Sequence, residues 1–107
     1  MPKKYRLTGE EIRALKGKRI AGKYFSLLVA PATATFPKCA CVASKKVSLK
    51  AVERNTIKRR CRSVLQKSLS RVASPLSLVF YAKREALDAS FSEIREDIDA
   101  LIARARP

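Results

Sequence analysis

Apolar positions along this chain alternate between two rhythms. In "RLTGEEIRALK" (6–16) they recur at helical spacing, with Ile12 and Leu15 on one side. Thr8 and Glu11 stand three residues apart, as in a capping box, and Leu7 and Ile12 take the positions of a hydrophobic staple. Gly17 is placed to end this short helix. The rhythm then changes: "KYFSLLVA" (23–30) is an aromatic and branched run that predicts a strand. "PATATFP" (31–37), with two prolines, predicts a loop, and "KCACVASKKV" (38–47) a second strand ending at Lys45 and Lys46. The short loop favours an antiparallel hairpin between these two strands. Helical spacing returns from about Lys50 to Val72, with Ser74 and Pro75 closing the helix. "LSLVFYA" (76–82) predicts a third strand, and "SFSEIREDIDALIARAR" (90–106) a last helix. Ser90 and Glu93 form a second capping box there, and Ile94, Ile98, Leu101 and Ile102 line one face. The pattern does not place a fourth strand.

The predicted order is helix, strand, strand, helix, strand, helix. It implies an α/β (α+β) two-layer sandwich, a small mixed sheet with three helices. At 107 residues and 47% hydrophobic composition, the chain suits a single domain over 1–107 with its own core.

Charge changes the picture. There are 24 Lys or Arg against 9 Asp or Glu, a formal net charge of +15. Residues 1–84 hold 21 of the bases and three of the acids, so the C-terminal helix lies outside the basic region. Such a chain repels itself unless a polyanion neutralises it. Nucleic acid is the leading partner and an anionic membrane the second. No apolar run is long enough to span a bilayer, and with nucleic acid the leading reading no membrane partner is expected.

On a helical wheel of about 100° per residue, Ile57, Cys61, Val64, Leu65 and Ser68 share one arc, the stripe that must be buried. Asn55, Lys58, Arg59 and Arg62 form a continuous polar stripe on one flank; Arg60 and Lys67 lie on the other with Glu53. Arg54 falls within the apolar arc. It either projects past the sheet to meet a ligand or is buried against an acid, and the scarcity of acids upstream favours the first reading. A solvated face would mix signs to gain i, i+4 pairs. Residues 45–71 contain ten bases and one acid, and Lys45, Lys46 and Lys50 extend the patch beyond the helix. The pattern points to RNA or DNA along this face. Arg can bridge phosphate oxygens or stack on a base, Lys acts as a point charge, and Asn55 offers both donor and acceptor.

Other chemistries are disfavoured. The chain has no His, the commonest general base, and three Cys without a CxxC, which does not suit a structural zinc site. Cys39, Cys41 and Cys61 read as small buried thiols, consistent with a reducing cytoplasm. The acids of the last helix read as a solvated face. No catalytic residue and no metal ligand is therefore expected in this chain. A single long basic helix between strands, without a short neighbouring helix and tight turn, also argues against a helix-turn-helix and a DNA partner.

The stretch "ASKKVSLKAVERNTIKRRCR" (43–62) resembles the signature of the bacterial ribonuclease P protein subunit: a strand ending in Ser-Lys-Lys, then a helix with Arg-Asn, Lys-Arg and a later Arg. The resemblance implies a protein that binds ribonuclease P RNA, whose bound Mg2+ cleaves the 5′ leader from precursor tRNA. The protein would be an accessory subunit of this endoribonuclease, with the catalytic centre in the RNA and no cofactor tightly bound to the chain. It would help hold the substrate and make the metal more effective. By similarity, Arg54, Asn55, Lys58, Arg59 and Arg62 contact the RNA, with Lys45, Lys46 and Lys50 beside them. The implied fold carries the basic helix in a left-handed β-α-β crossover, against the general rule. The family holds the single-stranded leader in a cleft between sheet and helix, using aromatic side chains. Here Ile12 and Leu15 take the first-helix positions and Leu28 a strand position that is often aromatic. Leader binding is thus expected to be weaker or differently built, with Phe25, Phe36 and Tyr81 as replacements, although core packing also explains each of them. The competing function is a general or ribosomal RNA-binding protein with no enzyme role.

Overall fold

Thr8 and Glu11 do close a capping box. In the computed structural model, which describes residues 5–32, 36–72 and 75–105, the Thr8 hydroxyl accepts the Glu11 N–H at 3.2 Å and the Glu11 carboxylate accepts the Thr8 N–H at 3.0 Å. They open α1 (Gly9–Ala14), with Leu7 and Ile12 packed in one apolar cluster as a staple requires. The helix ends before Gly17, which serves a different need. A Cβ at Gly17 would stand 2.1 Å from the Val29 carbonyl oxygen, so the glycine allows a close backbone approach.

Four strands follow the sandwich plan: β1 (Lys18–Ala21), β2 (Phe25–Pro31), β3 (Lys38–Val42) and β4 (Leu76–Ala82). The two long helices are α2 (Ala51–Ser68), continued by a 3-10 turn over Leu69–Arg71, and α3 (Phe91–Ala105). A second 3-10 turn spans Arg84–Leu87. The order is thus α-β-β-β-α-β-α, with β1 added to the predicted elements. Ser74, expected to help close α2, lies outside the described residues.

The sheet order is β1-β2-β4-β3. β2 is antiparallel to both β1 and β4, while β3 runs parallel to β4. The expected hairpin of the second and third strands is therefore absent: β4 separates them. The reason lies in β4's own residues. Ser77, Leu78, Val79 and Phe80 are all buried, and a strand apolar on both faces takes the centre of a sheet. β3, α2 and β4 form a β-α-β unit, which makes the basic helix the link between two neighbouring strands.

Both faces of the sheet are covered, unequally. One carries Ile20, Phe25, Leu27, Val29, Cys39, Leu78 and Phe80 against α2 and α3. Ile57, Cys61, Val64, Leu65 and Ser68 are the buried residues of α2, as the wheel predicts, and Ile94, Ile98, Leu101 and Ile102 those of α3. The other face has a smaller cluster of Leu7, Leu28 and Val79, with Ile12 and Leu15 of α1 half-buried on it.

The acids of α3 are not simply a solvated face. The Asp97 carboxylate accepts the backbone N–H groups of Lys23, Tyr24 and Phe25 at 2.8, 2.9 and 3.0 Å, holding the turn between β1 and β2. Gly22 permits this, because a Cβ there would meet the Asp97 oxygens at 2.9 Å. Asp99 accepts the Ser68 hydroxyl at 2.7 Å, tying α3 to α2.

Candidate nucleic-acid interface

β3 stops at Val42, so Lys45 and Lys46 lie in a turn beyond it and do not end the strand as expected. Val47 is buried and donates its N–H to the Ser44 carbonyl at 3.0 Å, and the Ser44 hydroxyl accepts the Lys46 N–H at 3.3 Å. With Val47 anchored inward, both lysines are exposed. Ser48 then organises the start of α2. Its hydroxyl accepts the Lys50 N–H and donates to Glu53, and its carbonyl accepts an Arg54 guanidinium N–H at 2.8 Å.

Arg54 therefore matches neither simple reading. It is half-buried, and the group that holds it is a backbone carbonyl, not an acid. A carbonyl takes one of its N–H donors and leaves the charge uncancelled. Along the helix, Asn55 and Arg59 are exposed while Lys58 and Arg62 are half-buried, all four beside the buried Ile57–Cys61–Leu65 stripe. Arg60, on the opposite flank, reaches the Ala89 carbonyl at 3.4 Å.

The structure brings Lys45, Lys46, Lys50, Arg54, Asn55, Lys58, Arg59 and Arg62 onto the connector and one flank of a single helix. Seven are cations. Among the described residues, the ion pair that forms is Lys38 to Glu11 at 3.2 Å, between β3 and α1, and no carboxylate reaches any of the seven. The N-cap of α2 is Lys50, without a side-chain cap, so the positive end of the helix dipole adds to the same potential. Such a surface attracts phosphate, and its own repulsion is relieved when phosphate arrives.

Arg62 links this stripe to the second sheet face. It lines a shallow pocket with Arg6, Leu7, Ile12, Cys39, Ala40 and Cys41, where the edge of α2 meets the α1 side. On that face Arg19 stands over the Tyr81 ring at 5.1 Å, a cation–π contact beside Leu28 and Val79.

Of the three aromatics expected to hold a single strand, only Tyr81 lies on this face. Phe25 is 1% exposed in the main core, which removes it as a surface contact: its place in the β2 alternation points it at α3. Phe36 packs edge-on against Tyr5, centroids 5.5 Å apart, in an apolar pocket of about 560 Å³ at the C-terminal end of α2. That pocket is on the helix side of the sheet, where Tyr5, Leu69 and Val72 join the main core. Two further basic residues join the surfaces. Arg19 escaped notice because β1 has a single buried residue, Ile20, and so gives no strand pattern. Arg84 donates to the Lys46 carbonyl at 3.3 Å, a proximity across 38 residues that no local pattern carries.

The thiols offer no chemistry here. Burial pushes the Cys39 thiol up to about 12 and holds Cys61 well above the ordinary value, so both stay protonated at neutral pH. Cys39 and Cys61 are buried as expected, while Cys41 is half-buried. Among the described residues, no group of three or more His, Cys, Asp or Glu side chains is placed to hold a metal ion. No helix among them is long and apolar enough to cross a membrane.

Comparison with known proteins identifies the family and the fold. The family model described as Ribonuclease P matches residues 1–106. The chain is 33% identical over 109 aligned positions to the ribonuclease P protein component of Chloroflexus aurantiacus, covering 98% of this chain and 80% of that protein. It is 33% identical over 92 residues to the counterpart from Pseudanabaena sp., covering 85% and 79%. Its fold superposes on the RNase P protein of Staphylococcus aureus with a TM-score of 0.84, at 22% identity and 94% coverage of each chain. The predicted sandwich is thus the fold of that protein, and the chain belongs to the family of ribonuclease P protein components.

Proposed function

We propose that this chain binds the catalytic RNA of ribonuclease P through the stripe from Lys45 to Arg62, and the 5′ leader of precursor tRNA through the α1-covered sheet face. As a ribonuclease P protein component it is part of an endoribonuclease that matures tRNA 5′ ends. The observation that carries the finer reading is the row of seven cations with no carboxylate partner among the described residues. Lys45, Lys46, Lys50, Lys58 and Arg59 meet phosphates, and the fork geometry of Arg54 and Arg62 suits paired phosphate oxygens. Asn55 reaches a sugar hydroxyl or base edge.

Leader binding rests on Tyr81 and Arg19, with Leu28, Val79, Ile12 and Leu15 forming an apolar floor. One aromatic ring in place of several gives a weaker stacking platform, and the guanidinium over that ring supplies a phosphate contact at the same spot. Arg62 stands where the two surfaces meet, so substrate and RNA subunit lie side by side. Chemistry belongs to the RNA in this reading: Mg2+ is held mainly by RNA and substrate, and the protein concentrates both strands around it. The setting is a reducing cytoplasm, in keeping with Cys39 and Cys61 serving as small buried side chains.

The test is cleavage. Added to a bacterial ribonuclease P RNA at low magnesium, the chain is expected to stimulate 5′ processing of precursor tRNA. Arg54→Ala and Arg62→Ala are each expected to weaken RNA binding roughly tenfold. Thermal stability should shift by about 0.5 kcal/mol for Arg62→Ala, and by about 1 kcal/mol for Arg54→Ala, which loses the bond to Ser48. Absence of stimulation across several such RNAs, with equal affinity for ribosomal RNA, would instead establish a general RNA binder.

A further inference from the structure

Leu49 and Val52 are exposed to 83% and 77%, the two most exposed large apolar side chains among the described residues. Isolated apolar residues on a surface need no explanation. These two differ in position. Leu49 sits in the connector between Lys46 and α2, and Val52 in the first turn of the helix. At helical spacing Val52, Asn55, Arg59 and Arg62 are i, i+3, i+7 and i+10, one continuous row. Val52 is thus the first member of the row assigned to RNA, and four cations, Lys45, Lys46, Lys50 and Arg54, lie within five residues of the pair in sequence against one acid, Glu53.

The fold gives no reason for apolar residues here. A β-branched residue is disfavoured in a helix, and neither side chain belongs to an apolar cluster. The connector is already fixed by Val47, Ser48, Arg54 and Arg84. What surrounds the pair determines its occupant. A connector and helix start so rich in cations, none of them in an ion pair among the described residues, repel a second copy of this chain and draw a polyanion. A paired helix would present phosphates to those cations and nothing apolar to Leu49 and Val52; an unpaired nucleotide presents the face of its base.

We propose that Leu49 and Val52 form an apolar seat for an unpaired nucleobase of the RNA partner, framed by phosphate contacts from the surrounding cations. This rests on the RNA-binding reading above and adds to it a contact that salt does not screen. The cationic stripe provides affinity for any RNA. The apolar seat favours an RNA that offers an unstacked base at this point, and so provides selectivity.

The experiment measures binding of the full-length chain to a ribonuclease P RNA across a salt series. Leu49→Ala/Val52→Ala is expected to weaken binding roughly tenfold at every salt concentration, leaving the slope of log affinity against log salt at its wild-type value and the thermal stability no lower than wild type. Leu49→Met/Val52→Leu keeps the surface apolar and should retain binding. For a fully base-paired RNA helix, the Ala variant and the wild type should bind alike. Wild-type affinity in the Ala variant overturns the inference, and so does a loss that comes with a shallower slope. It also fails if wild type sediments as a dimer that the Ala substitutions dissociate, since the pair would then contact a second copy. A wild-type chain that does not prefer ribonuclease P RNA overturns the functional reading itself, a result the variants are not needed to detect.

Discussion

Asp97 accepts N–H groups from Lys23, Tyr24 and Phe25, across 72 to 74 residues of chain. Two of these amides are part-buried, so removing the carboxylate leaves donors without water to replace it. Asp97→Ala is expected to cost about 2–3 kcal/mol, read as a lower urea midpoint with an unchanged m-value. Asp97→Asn keeps one acceptor oxygen and should lose less. A midpoint equal to wild type would show that the turn holds without its brace. This role was not legible in the sequence, because the partners are backbone amides and carry no residue identity. The buried set of α2 was legible to the residue, since helical period alone decides which side chains share an arc. Arg54 fell between its two readings for a related reason: its partner is a carbonyl, which pairing by side-chain charge cannot anticipate.

Helix ends are the elements most sensitive to pH. Glu11 lies below the ordinary carboxylate value chiefly because it accepts the Thr8 N–H, with Lys38 contributing next. Glu93 is lowered chiefly by the Ser90 N–H and then by the Tyr24 hydroxyl, which donates to it at 2.7 Å. As pH falls, the unfolded chain takes up these protons first. The stability that both carboxylates contribute is therefore complete above the ordinary value of 4.5 and is lost as pH drops through their lower folded values. Gln keeps the capping acceptor but does not titrate. Glu11→Gln/Glu93→Gln should thus show a shallower fall in melting temperature between about pH 5 and about pH 3; an acid limb as steep as wild type would locate the titration elsewhere. Both caps were visible in the sequence, being local motifs. Strand pairing was not. Loop length suggested the hairpin of β2 with β3, but burial of β4 on both faces placed it between them, a competition among distant segments. β1 was missed because one apolar residue in four shows no alternation.

Charge is segregated along the sheet. α2 packs toward β3 and α3 toward β1 and β2, so the basic helix and the acidic one lie side by side in one layer, with Arg62 on the β3 side of α2. Net charge, visible from composition, said only that a polyanion is the partner. The fold adds where the cations gather, on the connector and one flank of α2. If all seven cations of the stripe neutralise phosphates, log affinity for ribonuclease P RNA should fall against log salt with a slope near −6. Lys45→Ala/Lys46→Ala should make the slope shallower by about 2. Glu96→Lys, an exposed change on α3, raises net charge by two but beside the β1–β2 turn, where Glu96 lines a pocket with Lys23 and Tyr24. Screening confines its influence to about 10 Å at ordinary ionic strength, within a molecule 35 Å long. It should leave the slope where wild type has it. Were Glu96→Lys to steepen the slope as much as the lysine pair flattens it, affinity would follow total charge, and the stripe on α2 would lose its claim to be the interface.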